Sequence, residues 1–145
     1  MRDNINIAVV GATGAVGEVM LSILADRGID ANRVTALASE RSAGDDVEYG
    51  GRRLIVENLE TFDFSNTDYA LFSAGGGVSE KYAPQASGAG AIVIDNTSAF
   101  RYVDDIPLVV PEVNAHMLDG LGPGAIIANP NCSTIQMLVA LAPIQ

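Results

Sequence analysis

The stretch that decides the fold lies near the start of the chain, where residues 5–17 read INIAVVGATGAVG. The apolar run Ile5–Val10 is typical of a buried strand, and it ends directly in Gly11. Gly11, Gly14 and Gly17 then follow at the spacing G-x-x-G-x-x-G, a variant of the dinucleotide-binding fingerprint. Gly11 would permit a tight turn, Gly14 would let a pyrophosphate approach the backbone, and Gly17 would let helix and strand pack closely. Because the free N–H groups of a helix start favour phosphate, this loop predicts a dinucleotide site, the alternative being a tight turn that binds nothing.

Short apolar runs alternate with helix-like stretches along the rest of the chain, and Gly50-Gly51 is typical of a hairpin turn. The expected later strands are Val34–Ala38, Val47–Tyr49, Arg52–Val56, Tyr69–Phe72, Ala91–Asp95 and Ala125–Ala128. The expected helices are Ala15–Arg27, Glu80–Ser87 and Ser133–Leu141. This alternation predicts an α/β fold, a Rossmann-like, doubly wound, mostly parallel sheet with helices on both faces. Ligands of such sheets bind at the carboxyl ends of the strands.

The end of the second expected strand predicts which cofactor is bound. NAD-binding folds usually place Asp or Glu there to hold the ribose hydroxyls, whereas this strand is followed by Ser39 and, shortly after, by Arg41. A hydroxyl and a guanidinium can both hydrogen-bond a 2′-phosphate, and the arginine supplies the opposite charge, so NADP is favoured over NAD. Glu40 argues the other way, since a carboxylate turned inward would hold a ribose diol and repel a phosphate. Arg41 could also be an ordinary exposed arginine.

A single cysteine, Cys132, lies in the stretch Asn129-Pro130-Asn131-Cys132-Ser133-Thr134, between a buried strand and the last expected helix. Pro130 restricts the backbone before the turn, so that Cys132 falls at or just before the helix start. There the helix dipole favours the thiolate, and neighbouring N–H groups could stabilise an oxyanion. The position suits a nucleophile, but the local sequence equally allows a buried structural cysteine.

Other candidates carry weaker signals. Arg101 ends a polar loop after a buried strand and is a possible anion clamp or a solvated arginine. Ser73 and Gly75 lie in a glycine-rich loop after another strand, where the backbone could approach a flat ring or simply be flexible. His116, the only histidine, has no obvious partner nearby in sequence and is interpreted as structural. We expect no metal site, since metal-ligand spacing is absent.

Composition limits the function classes. The 145 residues are 48% hydrophobic and form, by length, one domain. The net charge of −10 argues against nucleic acid and against anionic membrane surfaces as partners. The single cysteine, and the lack of a signal-peptide pattern or a long apolar run, favour a cytoplasmic protein.

Taken together, these motifs resemble aspartate-semialdehyde dehydrogenase along essentially the whole chain. The resemblance raises the nucleophile interpretation of Cys132 well above the structural alternative. The matching stretches are Gly11–Gly17, Ala38–Gly44, Leu71–Gly76, Ile94–Arg101, Val109–Asn114 and Asn129–Thr134.

The resemblance implies a reaction and roles for the candidate residues. In such enzymes a cysteine thiolate attacks the acyl phosphate of L-aspartyl 4-phosphate, phosphate leaves, and hydride from NADPH reduces the thioester to aspartate semialdehyde, a precursor of lysine, threonine and methionine. By position, Cys132 is the nucleophile, and Arg101 and Asn131 would hold the phosphate. The implied cofactor contacts are Thr13, Gly14, Ala15 and Val16 for the pyrophosphate, Arg41 and Ser42 for the 2′-phosphate, and Ser73 and Gly75 near the nicotinamide.

The chain departs from this family in length. The resemblance implies a further C-terminal domain with the general-base histidine, a carboxylate-binding arginine and most contacts of a homodimer or higher homo-oligomer. Residues 1–145 are therefore expected to be an NAD(P)-binding domain that binds NADP but turns over negligibly alone. The alternatives are an N-acetylglutamyl-phosphate reductase, in which glycine precedes the cysteine where this chain has Asn131, and a non-catalytic NADP-binding module. A short-chain dehydrogenase is disfavoured, since Tyr-x-x-x-Lys is absent.

Overall fold

A computed structural model describes residues 5–144, and within them the strands form one seven-stranded sheet in the order β3-β4-β2-β1-β5-β6-β7. The strands are β1 (Ile7–Val10), β2 (Val34–Ala38), β3 (Asp46–Tyr49), β4 (Arg52–Asn58), β5 (Tyr69–Phe72), β6 (Ile92–Asp95) and β7 (Ile126–Ala128). The α-helices are α1 (Ala15–Asp26), α2 (Gly76–Gly88), α3 (Pro111–Asn114) and α4 (Cys132–Leu141). Short 3₁₀ turns follow several strands, among them Glu40–Ser42 and Leu59–Thr61.

Every neighbouring pair of strands is parallel except β3 and β4, which form the antiparallel hairpin. The strand order reverses at β1, whose two neighbours are β2 and β5. Gly50 and Gly51 both have positive φ, +54° and +80°, as the predicted hairpin turn requires. The doubly wound α/β prediction is confirmed.

Alternate residues of β1 point to opposite faces of the sheet and enter two separate hydrophobic clusters. Val9 packs on the face that also holds Leu21 of α1, whereas Val10 packs with Phe72 and with Ala83 of α2. Helices therefore cover both faces, which explains why the first strand is apolar at every position.

Three predicted boundaries were wrong by two residues or more, and the others differ from the structure by one residue at most. β1 begins at Ile7 instead of Ile5, because Asn6 is engaged elsewhere: its N–H donates to Asp68 Oδ2 at 2.7 Å. β4 continues past Val56 to Asn58, because it pairs in parallel with β2 as well as forming the hairpin.

The third wrong boundary is the start of α2. This helix begins at Gly76, four residues before the predicted Glu80. Gly75 turns the chain with φ +98°, and its carbonyl oxygen accepts from the N–H groups of Val78 and Ser79 at 3.1 Å. The loop that was predicted to run through Gly77 is therefore partly the first turn of a helix.

None of the helices described combines the length and apolar character needed to cross a membrane.

Candidate functional site

The glycine loop has the close contacts that its spacing predicts. Gly11 has φ +89°, and a Cβ there would lie 2.9 Å from the backbone N of Ala74 in the loop after β5. A Cβ on Gly17 would lie 2.1 Å from the carbonyl oxygen of Gly11, a distance that no side chain tolerates. Gly14 is less constrained, since its Cβ would make an ordinary contact at 3.4 Å. Gly11 and Gly17 thus hold loop and helix together, while Gly14 leaves an open approach to the backbone.

The start of α1 leaves its first N–H groups available. Gly14 is the N-cap residue, and no side chain caps this helix. Thr13, Ala15 and Val16 are exposed around it. An uncapped helix start beside an open loop is suited to a phosphate group.

A cleft of about 410 Å³ opens at the carboxyl ends of β1, β2, β4 and β5. It brings together seven of the predicted cofactor residues: Gly11, Thr13, Gly14, Ser39, Arg41, Ser42 and Ser73. The other four predicted cofactor residues, Ala15, Val16, Gly17 and Gly75, do not line it.

Arg41 lies in the 3₁₀ turn Glu40–Ser42, directly after β2. Glu40 does not line the cleft, whereas Ser39, Arg41 and Ser42 do. The objection that Glu40 would turn inward therefore finds no support, and among the described residues the one carboxylate that lines the cleft is that of Glu60, which follows β4. Within residues 5–144 Arg41 makes no ion pair, so its charge is available to an anionic ligand.

Sequence analysis missed six residues of the cleft: Ala38, Leu59, Glu60, Ala74, Val78 and Tyr82. Leu59, Val78 and Tyr82 add an apolar wall, and the only lysine, Lys81, lies with its Nζ 4.6 Å from the centroid of the Tyr82 ring. The pKa of Lys81 is raised, first by its side-chain hydrogen bond with Tyr82 and then by Coulombic interaction with Tyr82 and Glu60. A signal for Leu59 existed: it comes three residues after the apolar run 54–56, and loops after parallel strands meet at the ligand edge.

A second cleft, of about 460 Å³, lies between α1 and the β3–β4 hairpin. Its lining includes the carboxylates of Glu18, Asp26, Asp46 and Glu48, and its arginine, Arg53, is already paired with Asp46 at 2.7 Å. This acidic lining repels anions, so it does not suit a dinucleotide.

Cys132 is the first residue of α4 and is exposed, so the alternative of a buried structural cysteine is wrong for this arrangement. The preceding residue, Asn131, caps the helix: its Oδ1 accepts from the Ser133 N–H at 3.0 Å and from the Ser133 hydroxyl at 2.6 Å. Pro130 is buried and anchors the turn. The nucleophile candidate is therefore presented to solvent at a positively polarised helix end.

Arg101 joins the loop after β6 to the loop after β7. Its Nε donates to the carbonyl oxygen of Asn129 at 3.0 Å and its Nη2 to that of Asn96 at 3.3 Å. The side chains of Asn129 and Asn96 are also hydrogen-bonded to each other. Nη1 makes no hydrogen bond with the described residues, and Arg101 makes no ion pair there. The guanidinium is thus held at Asn129, which lies two residues before Asn131 in sequence, and its Nη1 N–H groups remain available as donors.

The remaining candidate is His116, which lies exposed in the 3₁₀ turn Ala115–Leu118. Its side chain makes no hydrogen bond within residues 5–144, so the structural interpretation finds no support there. In the same range, no group of three or more His, Cys, Asp or Glu side chains is placed to hold a metal ion.

Comparisons with known proteins identify the family of this chain. The family described as semialdehyde dehydrogenase, NAD binding domain, matches residues 6–121. Aspartate-semialdehyde dehydrogenase 2 of Vibrio cholerae is 56% identical over 144 residues, which are 99% of this chain and 43% of that protein. The chain therefore spans less than half the length of this relative.

Two solved structures are similar throughout. The crystal structure of aspartate semialdehyde dehydrogenase II from Vibrio cholerae, complexed with ASA, superimposes with a TM-score of 0.89 at 56% identity, covering 96% of this chain and 45% of that one. The enzyme from Candida albicans, crystallised with NADP, gives a TM-score of 0.79 at 26% identity and covers 97% and 46%. With the glycine loop, the cleft and the family match in agreement, this chain belongs to the semialdehyde dehydrogenase family and carries its NAD-binding domain.

Proposed function

We propose that the protein to which this chain contributes is an NADP-dependent aspartate-semialdehyde dehydrogenase, which converts L-aspartyl 4-phosphate to aspartate semialdehyde in lysine, threonine and methionine biosynthesis. One observation carries the proposal: the exposed Cys132 begins a helix at the same sheet edge as a cleft that suits a dinucleotide. The relatives named above, which are aspartate-semialdehyde dehydrogenases, support the substrate.

The cleft residues fit a nicotinamide dinucleotide phosphate. Any side chain at Gly11 or Gly17 would clash with the neighbouring backbone. The start of α1 has no side-chain cap. Arg41, with Ser39 and Ser42, offers a cation and two hydroxyls at the end of β2, where a 2′-phosphate would lie. When bound, NADPH supplies the hydride, that is, the two electrons of the reduction.

In this proposal Cys132 performs covalent catalysis. The thiolate sulfur attacks the acyl carbon, the carbon–oxygen bond to phosphate breaks, and inorganic phosphate leaves. Hydride addition to the resulting thioester gives an oxyanion, whose carbon–sulfur bond then breaks to release the aldehyde and the thiolate. The one proton that the overall reaction consumes is taken up by the released phosphate. The N–H groups at the start of α4 that Asn131 does not cap would stabilise the oxyanion of each tetrahedral state.

Arg101 and Asn131 would hold the departing phosphate. Asn131 uses its Oδ1 to cap α4 and keeps its amide N–H₂ for a ligand, since no hydrogen bond from this group occurs within residues 5–144. Arg101 is restrained by two carbonyl groups but has an open Nη1. A cation with a fixed orientation is what bidentate recognition of a phosphate requires.

The general base and the group that holds the substrate carboxylate are not assigned to any residue of this chain. We propose that residues outside it supply them, so that the chain alone binds NADP and turns over negligibly. A homo-oligomeric full-length form and a cytoplasmic location stay predictions. An N-acetylglutamyl-phosphate reductase is disfavoured by Asn131, which caps the cysteine helix where that family has glycine.

Calorimetric titration of NADP⁺ and NAD⁺ tests the cofactor site. Arg41→Ala should weaken NADP⁺ binding by about 10- to 100-fold, the effect of losing a charged hydrogen bond, and leave NAD⁺ binding within about twofold. Arg27→Ala is the matched control, because it removes the same charge from an exposed residue at the end of α1, outside the cleft. Equal losses for both cofactors, or equal losses in both variants, would overturn the 2′-phosphate assignment.

A further inference from the structure

Asp95 is a fully buried acidic residue for which the proposed chemistry has no use. It is the last residue of β6 and has 0% of its surface exposed. Its Oδ1 accepts from the Ser79 hydroxyl at 2.7 Å and from the Thr97 N–H at 3.2 Å, and its Oδ2 accepts from the Thr97 hydroxyl at 2.7 Å. Ser79 is also 0% exposed and Thr97 only 9%. This acidic network, Asp95 with Ser79 and Thr97, is satisfied without a basic partner in the described residues.

A buried carboxyl group of this kind is costly for a fold whose core is otherwise apolar. The strand residue before it, Ile94, and its neighbour on β5, Phe72, are hydrophobic. An apolar side chain at position 95 would therefore bury area equally well. What it would lack is the two hydrogen bonds with Thr97 that fix the direction of the following loop, and the third, with Ser79, that ties this strand end to α2.

The network leads directly to Arg101. The Thr97 hydroxyl, while donating to Asp95, accepts from the Ala99 N–H at 3.2 Å, so it sets the turn of the loop that ends in Arg101. On the other side, the backbone oxygen of Asp95 accepts from the Asn129 N–H at 2.8 Å. Asn129 is the residue whose carbonyl oxygen holds Arg101 Nε. The carboxylate of Asp95 therefore fixes the loop that carries the guanidinium, and its backbone oxygen holds the loop that restrains the guanidinium.

The third member ties this arrangement to the cofactor cleft. Ser79 lies on α2, one residue after Val78, which lines the cleft. Its hydrogen bond to Asp95 spans 16 positions of sequence and joins α2 to the carboxyl end of β6. A displacement of the first turn of α2 is thereby transmitted to the loop of Arg101.

We propose that Asp95, Ser79 and Thr97 form a positioning unit that holds the Arg101 guanidinium in the orientation for a phosphate group. The phosphate role of Arg101 rests on the proposed function. The positioning itself is a property of this chain and is measurable without turnover.

The test is nitrogen-15 NMR of the arginine Nε–H groups in the uniformly labelled chain, with the Arg101 signal assigned from an Arg101→Lys sample. Thr97→Val keeps the shape of the side chain and removes the hydroxyl, whereas Thr97→Ser keeps the hydroxyl. Hydrogen exchange of the Arg101 Nε–H should become about tenfold faster in Thr97→Val, the loss of roughly one net hydrogen bond, and should return close to the unsubstituted rate in Thr97→Ser. Inorganic phosphate, titrated into the same samples, should shift the Arg101 signal with a dissociation constant about tenfold higher in Thr97→Val than in Thr97→Ser.

The outcomes separate the two levels of inference. If phosphate leaves the Arg101 signal of the unsubstituted chain unmoved, the phosphate role fails, while the Nε–H exchange rates of the two Thr97 variants still decide whether the unit positions the guanidinium. If phosphate binds but both Thr97 variants match the unsubstituted chain, only the positioning proposal is overturned. If Thr97→Val does not fold, Ser79→Ala is the second variant, because it removes the hydrogen bond from α2 to Asp95 and leaves Thr97 intact. Faster exchange of the Arg101 Nε–H in Ser79→Ala then supports the proposal, and unchanged exchange overturns it.

Discussion

Helices α1 and α4 both begin at the ligand edge of the sheet, and they are packed very differently. The first, α1, buries Gly17 and Leu21 against β1, and a Cβ on Gly17 would collide with the loop before it. The other, α4, begins with Cys132 and contains no buried residue. Two of its apolar side chains, Met137 and Leu141, are more than half exposed, at 54% and 52%.

The difference indicates that this chain forms the cofactor cleft by itself but packs the helix of Cys132 only loosely. The dinucleotide cleft is built from loops anchored by two hydrophobic clusters that lie within residues 5–144. The proposed nucleophile, Cys132, lies on a helix that the described residues leave largely uncovered, in a chain that spans 43% of the Vibrio cholerae relative. We therefore expect cofactor affinity to be intrinsic to this chain. Catalytic turnover at Cys132, in contrast, should depend on contacts that this chain does not supply.

The largest expected effect is the difference between the labelling rate of the Cys132 thiol and that of a thiol buried in the core. Since its thiol is exposed, a disulfide reagent should label one equivalent in native buffer, at a rate that does not change as urea is raised below the unfolding transition. A thiol that needed global unfolding would react at least about 10³-fold more slowly in a domain of ordinary stability. Stopped-flow absorbance against urea concentration measures this rate. A rate that climbs steeply with urea would mean that α4 is packed as firmly as α1.

The next effect concerns the tightly packed side of the comparison. Gly17→Ala places a methyl group 2.1 Å from the carbonyl oxygen of Gly11, so loop and helix must separate. We expect the free energy of unfolding to fall by about 3 kcal/mol, as for severe overpacking, and NADP⁺ binding to be lost. Urea denaturation and calorimetry measure the two quantities.

Gly14→Ala is the matched control for that substitution. The same methyl group three residues earlier meets only one atom, Gly11 O, at the ordinary distance of 3.4 Å. Stability should stay within about 0.5 kcal/mol of the unsubstituted chain, while the approach of a pyrophosphate is hindered. If Gly14→Ala destabilises as much as Gly17→Ala, the loop is uniformly strained and the distinction between the two glycines is wrong.

The same contrast explains what could be predicted from the sequence. The glycine loop, the hairpin at Gly50-Gly51 and the succession of strands along the chain were predicted because each is encoded by neighbouring residues, through turn chemistry or through an apolar run of the right length. Cys132 was placed correctly at the helix start, since Pro130 and Asn131 mark the turn locally.

What was missed depends on contacts between distant residues. The pairing of β4 with β2 is parallel and long-range, so the hairpin signal concealed that Leu59 and Glu60 follow a strand of the main sheet. The start of α2 was missed because glycine is a poor helix former, and here the turn at Gly75 overrides that propensity. The hydrogen bond between Ser79 and Asp95 has no signature in either segment alone.

The smallest expected effect comes from a pair of equivalent caps, one in each region. Asp63 accepts from the N–H of Ser65 at 3.0 Å and from its hydroxyl at 2.8 Å, as Asn131 does from Ser133. Asp63 begins the turn Phe64–Asn66, which holds the buried Phe64 in the core. The pKa of Asp63 is lowered by the hydrogen bond from the Ser65 backbone and then by that from its side chain.

The Asp63 carboxylate therefore adds stability above its unfolded-state pKa and loses that contribution as the pH falls through its lowered folded-state pKa, whereas the amide of Asn131 does not titrate. Asp63→Ala should lower the midpoint of urea unfolding at neutral pH and not at acid pH, because its turn unfolds with the core. Asn131→Ala removes a cap that contributes about 1 kcal/mol, but only to α4. We expect faster amide exchange at Ile135, whose N–H donates to the carbonyl oxygen of Asn131 at 3.0 Å, with an unchanged global midpoint. Should Asn131→Ala instead shift the global midpoint as Asp63→Ala does, α4 belongs to the same cooperative unit as α1, and the cysteine helix owes its order to this chain alone.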